Sequence, residues 1–280
     1  MTHRQPRRLR RAGGMLAFVP LLLTCHVASA QQSPALDRVS VWLGAYSANA
    51  DTTIGASDKS GQYNGDFNLE KDLGFPDRKT VPRARLDFLV GDSQGFSLDH
   101  YSVNRTRSKS LARDISYAGN DYSAAATVKG KLNFDFGSAS WRWWFGHGND
   151  VFGLGLGGAY YRVHASISGE ASVNGDPVGQ ASSSTTDSAW APMLQLGWRH
   201  AFNDQWRMYI DAAGVKKNGG NLNGHIVNAA LGVEYFPWKN VGFGAEYGYS
   251  RVVLHQRKHD YNANLDMKLD GPSLFVRFRF

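Results

Sequence analysis

The 280-residue sequence predicts an all-β protein, a closed antiparallel transmembrane β-barrel of about ten strands, with eight or twelve as alternatives. Apolar and polar residues alternate over about ten separate segments, which is the side-chain period of a strand with one apolar face. Beyond the amino-terminal region, no segment approaches the roughly 20 consecutive apolar residues that a membrane-spanning helix needs. Short and long connections also alternate, as expected for a barrel with short periplasmic turns and longer extracellular loops.

The amino-terminal region has the pattern of a secretory signal peptide. Five arginines precede the apolar run Met15 to Leu23, and the small residues Ala28-Ser29-Ala30 follow it. The apolar run is too short to span a membrane as a helix. Cleavage after Ala30 would leave 31–280 as a single barrel domain and would remove Cys25, the only cysteine of the chain. A mature chain without cysteine suits an oxidising compartment.

The net charge of the mature chain gives no support for a nucleic-acid partner. Five of the 31 Lys and Arg residues belong to the predicted signal peptide, so 26 basic residues remain against 24 acidic residues. The mature chain is therefore nearly neutral, and its charge does not predict binding to nucleic acid.

The alternating segments can be placed along the chain. Two of them, 190–199 and 206–212, alternate most regularly, and 96–105 is irregular enough to suggest a β-bulge. The others lie near 38–50, 80–90, 129–145, 151–167, 227–235, 241–249 and 271–280.

The connections between these segments predict the topology. Short and long links alternate without exception, which places both ends of the chain in the periplasm. The short links lie near 92, 146–148, 203–204 and 237–239, and the long links near 51–79, 106–126, 169–187, 216–223 and 255–262.

The carboxy-terminal segment ends in alternating apolar residues. Leu274, Val276, Phe278 and Phe280 share one face of the predicted strand. The terminal aromatic residues, Phe278 and Phe280, resemble the assembly signal of bacterial outer-membrane β-barrel proteins. The resemblance implies insertion by the barrel-assembly machinery and a location in the bacterial outer membrane after signal-peptide cleavage.

Tryptophans and glycines also fit a barrel. Trp141, Trp143 and Trp144 are predicted to form an interfacial aromatic girdle. The segment 151–167 contains a G-x-G-x-x-G pattern that begins at Gly153. A dinucleotide site needs a helix to open at such glycines. Because these glycines lie within an alternating segment, small lumen-facing residues are the better interpretation.

The strand pattern places charged residues on the lumenal face. In a narrow barrel, paired charges can bridge the interior into a plug or can line a narrow path for small solutes. Basic residues outnumber acidic ones, so an open path would prefer anions. The predicted lumen charges are Arg83, Arg85, Asp87, Arg142, Arg199, Arg207, Asp211, Glu234, Glu246, Arg277 and Arg279.

A catalytic site has weaker support. A rim hydrolase would need a histidine beside a carboxylate, but no candidate histidine has a partner pattern. His255 and His259 have the spacing of two metal ligands on a helix, yet they fall in a predicted loop. We therefore predict no enzyme activity, no metal site and no cofactor. The other candidate histidines are His100, beside Asp99, His164 and His225.

The first long link carries a distinctive motif, NLEKDLGF at Asn68 to Phe75, followed by Lys79-Thr80-Val81. The motif resembles one found in an uncharacterised family of Gram-negative outer-membrane β-barrel proteins. Weaker similarity extends through Arg113-Asp114-Ile115 and Tyr235 to Trp238. The resemblance implies fold and location, and it implies no reaction. The acidic residues of the motif are interpreted as solvated loop charges, with a divalent cation or a partner as the alternative.

Two functional hypotheses follow. The first is a narrow channel for small solutes or ions. The second is a plugged barrel scaffold whose extracellular loops bind a partner or lipopolysaccharide. Expected partners are outer-membrane lipids and lipopolysaccharide, whose phosphates would attract basic loop residues. Those basic loop residues are Arg105, Arg107, Lys109, Arg113, Arg257 and Lys258. The alternative interpretation, which we favour, is that they are ordinary solvated loop charges.

Overall fold

The structure, a computed structural model, describes residues 33–58, 64–111, 115–117, 120–122, 127–173, 176–220, 222–257 and 261–280. Residues 1–30, the predicted signal peptide, lie outside the described residues, so cleavage after Ala30 stays a prediction. Arg113, Lys258 and His259 also lie outside them.

The described residues form thirteen β-strands. Three short strands, β2, β5 and β6, extend the connections, and the other ten build the barrel. The strands are β1 (Val39–Asp58), β2 (Asn64–Asn68), β3 (Arg78–Val90), β4 (Gln94–Ser110), β5 (Ile115–Tyr117), β6 (Asn120–Tyr122), β7 (Thr127–His147), β8 (Asp150–Val173), β9 (Asp176–Ala201), β10 (Trp206–Lys217), β11 (Leu222–Tyr235), β12 (Val241–Arg257) and β13 (Tyr261–Arg279).

The ten barrel strands form one closed antiparallel sheet. Each pairs with its neighbours along the chain, and β1 pairs with β13 to close the cylinder. At the seam, the Val39 amide donates to the Phe280 carbonyl at 3.1 Å, and the Phe280 amide donates back at 2.9 Å. No apolar helix of bilayer-spanning length occurs in the described part of the chain. The prediction of a ten-stranded barrel is confirmed.

The four predicted short links are confirmed as tight turns at one end of the barrel. They connect β3 to β4, β7 to β8, β9 to β10 and β11 to β12. Gly91 and Gly148 adopt φ values of 62° and 65° in two of these turns, a conformation that glycine reaches without a Cβ penalty. We call the part of the barrel next to these turns the turn half, and the opposite part the hairpin half.

The long connections are shorter than predicted, because the strands continue past the predicted segments. The predicted link 169–187 is wrong: β8 runs to Val173 and β9 begins at Asp176, with one register shift between Ala171 and Ser172. These extensions are rich in serine and threonine, so they lack the apolar alternation that marks a strand in a sequence.

The bulge suggested for 96–105 is not present. β4 pairs with β7 in unbroken register from Gln94 to Ser110. The irregular sequence has another cause. The outward face changes from apolar at Leu98 to polar at His100 and beyond, while the inward face becomes apolar at Tyr101 and Val103.

The outer surface of the turn half carries a continuous band of exposed apolar side chains, here called the apolar belt. Beyond the belt, the outward residues are polar, as at Asn49, Asp51 and Lys131. The belt contains Val39, Leu43, Phe88, Phe96, Leu98, Trp141, Trp143, Phe152, Leu154, Leu156, Trp190, Leu194, Leu196, Ile210, Leu231, Phe243 and Leu274.

The interior contains two different fillings. In the turn half it is a set of ionised side chains, here called the charged layer: Asp37, Arg83, Arg85, Asp87, Asp99, Arg142, Arg199, Arg207, Asp211, Glu234, Glu246 and Arg277. In the hairpin half it is an apolar core that includes Ile54, Val81, Tyr101, Val103, Leu132, Phe134, Phe136, Tyr161, Ile167, Val215, Ile226, Val252, Leu254, Leu265, Met267 and Leu269.

Candidate functional site: the filled barrel interior

Asp211 on β10 is the centre of the charged layer. Arg142 donates to its Oδ1 at 2.9 Å, Arg199 donates to its Oδ2 at 2.8 Å, and Arg85 donates to the same oxygen at 3.3 Å. The three guanidinium groups come from β7, β9 and β3. Since β3 and β10 lie on opposite sides of the closed sheet, the Arg85–Asp211 bridge crosses the lumen.

A second group of ion pairs lies beside the first. Arg83 donates to Asp99 at 2.6 Å and to Glu246 at 3.3 Å. The Tyr209 hydroxyl donates to the other oxygen of Glu246 at 2.7 Å. Because every one of these carboxylates has a cation or a hydroxyl donor, the desolvation of the charged groups is largely compensated.

A third group lies close to the turns. Arg277 donates to Glu234 at 2.8 Å, and its Nε lies 3.3 Å from Asp37. Arg207 donates to Asp37 at 2.7 Å. Asp87 lies 3.8 Å from Arg277 and 3.2 Å from Arg85, so it connects this group with the cluster around Asp211.

The structure brings ten of the eleven predicted lumen charges into this layer, and Arg279 is the exception. Arg279 donates to the carbonyl oxygens of Lys239 and Asp204 in two of the turns, and its guanidinium lies 3.8 Å from the Phe236 ring centroid. As the last residue of β13, Arg279 reaches the turns and not the lumen.

Sequence reasoning missed two carboxylates of the layer. Asp99 could have been found, because it follows Ser97 on the inward face of β4. Asp37 could not have been found, because it precedes β1 and strand alternation therefore assigns its side chain to neither face.

The predicted assembly residues lie where the strand pattern placed them. Phe278 and Phe280 point outward at the turn end of β13, and 68% of Phe280 is exposed. Their role in assembly stays a prediction.

Aromatic rings separate the charged groups. The prediction that Trp144 belongs to the exposed girdle is wrong: Trp144 is 9% exposed and faces the interior, while Trp141 and Trp143 face outward. The guanidinium groups of Arg142 and Arg199 lie 5.1 and 5.2 Å from the centroid of the Trp144 ring, within cation–π range.

Glycines make room for these large side chains. A Cβ added to Gly153 would lie 2.6 Å from Cδ of Arg142 and 2.9 Å from the Trp144 ring, and one added to Gly197 would lie 2.7 Å from Nη1 of Arg142. The glycine-rich pattern on β8 therefore provides space inside the barrel, and a strand continues through it where a nucleotide site needs a helix.

A cavity of about 90 Å³ separates the charged layer from the apolar core. Its lining includes Tyr46, Arg83, Arg85, Asn228 and Ser250. Nη2 of Arg85 and Oδ1 of Asn228 make no hydrogen bond within the described part of the chain. Buried polar groups are usually satisfied by protein or by water, so this lining suits small polar molecules.

The NLEKDLGF motif contributes to the apolar core of the hairpin half. Residues 67–76, here called the cap segment, fold back into the barrel and bury Phe67, Leu69, Leu73 and Phe75 in the apolar core. Gly130 on β7 leaves space for them, because a Cβ there would lie 2.9 Å from Leu73 and 3.1 Å from Phe75.

Arg105 on β4 holds the cap segment in place. Its buried guanidinium pairs with Glu70, donates to the Pro76 carbonyl at 2.7 Å and donates to Oγ1 of Thr52 at 3.1 Å. Glu70 also accepts from the Thr52 amide at 2.8 Å. The interpretation of Glu70 as a solvated loop charge is therefore wrong, as is that of Arg105 as a surface cation for lipid phosphates.

The candidate histidines that the structure describes do not form a catalytic group. Asp99 faces inward and His100 faces outward, so these neighbours cannot act together. His164 contacts Thr186 at 2.6 Å, and His255 contacts Asn264 at 2.8 Å, both on the outer surface. Among the described residues, no group of three metal-ligating side chains is present.

Comparison with known proteins identifies the fold of the chain and no family. No protein-family model matches the sequence, and no curated protein matches it. The outer-membrane protease OmpT from Escherichia coli superposes with a TM-score of 0.53 at 10% identity, over 86% of this chain and 96% of that one.

Two further structures are similar at a coarser level. The translocator domain of the autotransporter NalP from Neisseria meningitidis has a TM-score of 0.40 at 12% identity, over 86% of this chain and 88% of that one. The outer membrane protein OprG from Pseudomonas aeruginosa has a TM-score of 0.38 at 11% identity, over 89% and 100%. The strand pairing and the superposition on OmpT show that the chain has the fold of a ten-stranded outer-membrane β-barrel.

Proposed function

We propose that this protein is an integral protein of the bacterial outer membrane, that its barrel is closed to solutes, and that its function lies on the part held outside the membrane. The observation that carries this proposal is the filling of the lumen, by the charged layer in the turn half and by the apolar core with the cap segment in the hairpin half.

The apolar belt supports the membrane placement. On β8 it runs from Phe152 to Tyr160 and on β9 from Trp190 to Trp198, nine residues in each case. A tilted strand crosses the hydrocarbon core in about 9–11 residues. The short turns then lie in the periplasm and the hairpin half extends beyond the outer leaflet.

Bridges between distant strands support a closed lumen. The Arg85–Asp211 pair joins β3 to β10, and the Arg83–Glu246 pair joins β3 to β12. A solute that crossed the barrel would have to separate these buried partners and then displace the cap segment. Neither step is required of a solute in an open pore.

The test is the conductance of the refolded mature protein in a planar bilayer, with heat-modifiable gel migration to establish that the barrel has folded. The expected result is a folded protein that gives no discrete conductance steps. Reproducible steps that change in size or ion selectivity when Arg85 is replaced by serine would overturn the proposal.

One observation favours the alternative of a narrow channel. The polar cavity beside Arg83 and Arg85 has the position of an intermediate site on a path through the barrel. If the bilayer measurement gives steps, this cavity is the first place to search for the conducting path. The charged layer contains six arginines and six carboxylates, so it does not support the anion preference expected from the predicted lumen charges.

A further inference from the structure

We infer that the outer wall of β7 and β8, from the edge of the apolar belt outward, binds the phosphate groups of lipopolysaccharide. The site, here called the basic wall, consists of Lys129, Lys131 and Arg162. The inference rests on the outer-membrane placement proposed above.

The strand register places the basic wall along two adjacent strands. Arg162 lies on the outward face of β8 opposite Asp135, and Lys131 and Lys129 lie farther out on β7, opposite Ser166 and Ser168. The three cations therefore form a row about 20 Å long along the outer wall. All three cations are exposed. Within the described residues, none of them has an ion-pair or hydrogen-bond partner, so their charges are available to a ligand.

The neighbouring acids leave the site with a net positive charge. Asp135 accepts a hydrogen bond from Ser102 at 2.6 Å and makes no ion pair with Arg162 among the described residues. Glu170 lies further out on β8, beyond Lys129. Three cations therefore face two carboxylates, neither of which is bonded to them.

Polar groups around the cations suit a phosphorylated sugar. In register beside the basic wall lie the outward side chains of Thr106, Asn133, His164, Ser166 and Thr186, which offer hydroxyl, amide and imidazole groups. Charge-assisted hydrogen bonds from Lys and Arg to phosphate are stronger than neutral ones, and hydroxyl and amide groups can bind the sugar beside the phosphate.

The position relative to the membrane selects the lipid as the source of phosphate. The Tyr160 and Trp190 rings, 5.2 Å apart, lie at the upper edge of the belt, and Arg162 is the next outward residue of β8 after Tyr160. Aromatic rings of this kind mark the headgroup region. Arg162 lies immediately above it, at the height of the lipid A phosphates. Lys131 and Lys129 lie farther out, at the height of phosphates on the inner saccharide of the same lipid.

On the opposite side of the barrel, two outward cations already have partners. On β12 and β13, Arg251 donates to Asp266 at 2.8 Å, and Lys268 lies 4.0 Å from Asp270. The hydrogen bond with Asp266 raises the pKa of the Arg251 guanidinium. Because these cations already have partners, they provide a matched control for the basic wall.

The experiment measures, by native mass spectrometry, the binding of a lipopolysaccharide that carries phosphates on lipid A and on its inner saccharide to the folded protein in neutral detergent micelles. The wild type is compared with the triple variant Lys129→Gln/Lys131→Gln/Arg162→Gln and with the control Arg251→Gln/Lys268→Gln. We expect about tenfold or greater weakening in the triple variant, since each cation adds to the attraction for an anionic ligand. The control is expected to bind within about twofold of the wild type.

Four outcomes would overturn the inference. The first three are equal binding by the triple variant and the wild type, equal loss in the triple variant and the control, and equal binding of dephosphorylated lipopolysaccharide. The fourth is displacement of lipopolysaccharide by an equal concentration of inorganic phosphate, because the site would then bind free phosphate. Gel migration establishes that each variant has folded. Conductance of the wild type would overturn the closed barrel alone and would leave this measurement unaffected.

Discussion

The two halves of the barrel distribute their side chains in opposite ways. In the turn half, apolar residues such as Leu154 and Leu196 face outward, while arginines and carboxylates fill the interior. In the hairpin half, residues such as Leu132 and Met267 fill the interior, while Lys131 and Lys268 face outward. The same strands therefore place apolar residues outward in the turn half and inward in the hairpin half. The polarity of the medium outside the wall explains this difference.

This comparison predicts how each half fails. The charged layer depends on complete pairing, so the loss of one partner leaves buried charge behind. The apolar core depends on packing, so the loss of a side chain leaves a cavity whose effect is local.

The largest effect is expected for Asp211→Asn. It leaves the guanidinium groups of Arg85, Arg142 and Arg199 close together without their shared carboxylate, which we expect to lower the free energy of unfolding by about 3–5 kcal/mol. The measurement is the urea midpoint for loss of the heat-modifiable form. The control Asp270→Asn removes a carboxylate 4.0 Å from Lys268 on the outer surface and should change stability by less than about 1 kcal/mol. Similar midpoints for the two variants would contradict the unequal roles assigned to the two carboxylates.

Leu73→Ala should act in the hairpin half alone. Removing a buried leucine from the cap segment is expected to destabilise its packing by about 2–4 kcal/mol. The result should be faster protease cleavage within 67–76 while the heat-modifiable barrel remains. Lys71→Ala changes an exposed residue of the same segment and should leave cleavage unchanged. Global unfolding of Leu73→Ala would show that the two halves are not independent.

Glu70→Gln tests the contact that holds the cap segment. The buried Arg105 would lose its ionised partner and keep its bonds to Pro76 and Thr52, so we expect a loss of about 1–3 kcal/mol. Protease cleavage in the cap segment should increase, and conductance should stay absent because the charged layer is intact. Discrete conductance steps in this variant would locate the seal in the cap segment.

The smallest effect is expected for Gly153→Ala. Its Cβ would lie 2.6 Å from Cδ of Arg142. The Arg142 side chain is flexible and can move, so we expect the free energy of unfolding, measured by urea denaturation, to fall by only about 1 kcal/mol. The matched control is Gly158→Ala on the same strand, where the nearest atoms lie 4.0 Å from the added Cβ and no loss is expected. Equal stability of both variants would show that Arg142 and Trp144 do not need the space that Gly153 leaves.

Much of this organisation could be predicted because strand parity is local. Alternation alone predicts that Arg85 and Arg207 face the lumen, and the short links predict the turns at Asp92 and Asn203-Asp204.

The prediction fails for Trp144 because a run of neighbouring tryptophans obscures the alternation. Its contacts with Arg142 and Arg199 identify it as an interior residue.

The sequence by itself determined a barrel of about ten strands, the direction of most side chains in the turn half and most of the charges in the lumen, because the two-residue period of a strand can be recognised from consecutive residues. Only the tertiary structure decided which charges pair across the barrel, as at Arg85 and Asp211, and that the cap segment folds inward onto Arg105. These contacts join residues far apart in the chain, and their geometry depends on the closure and width of the whole barrel.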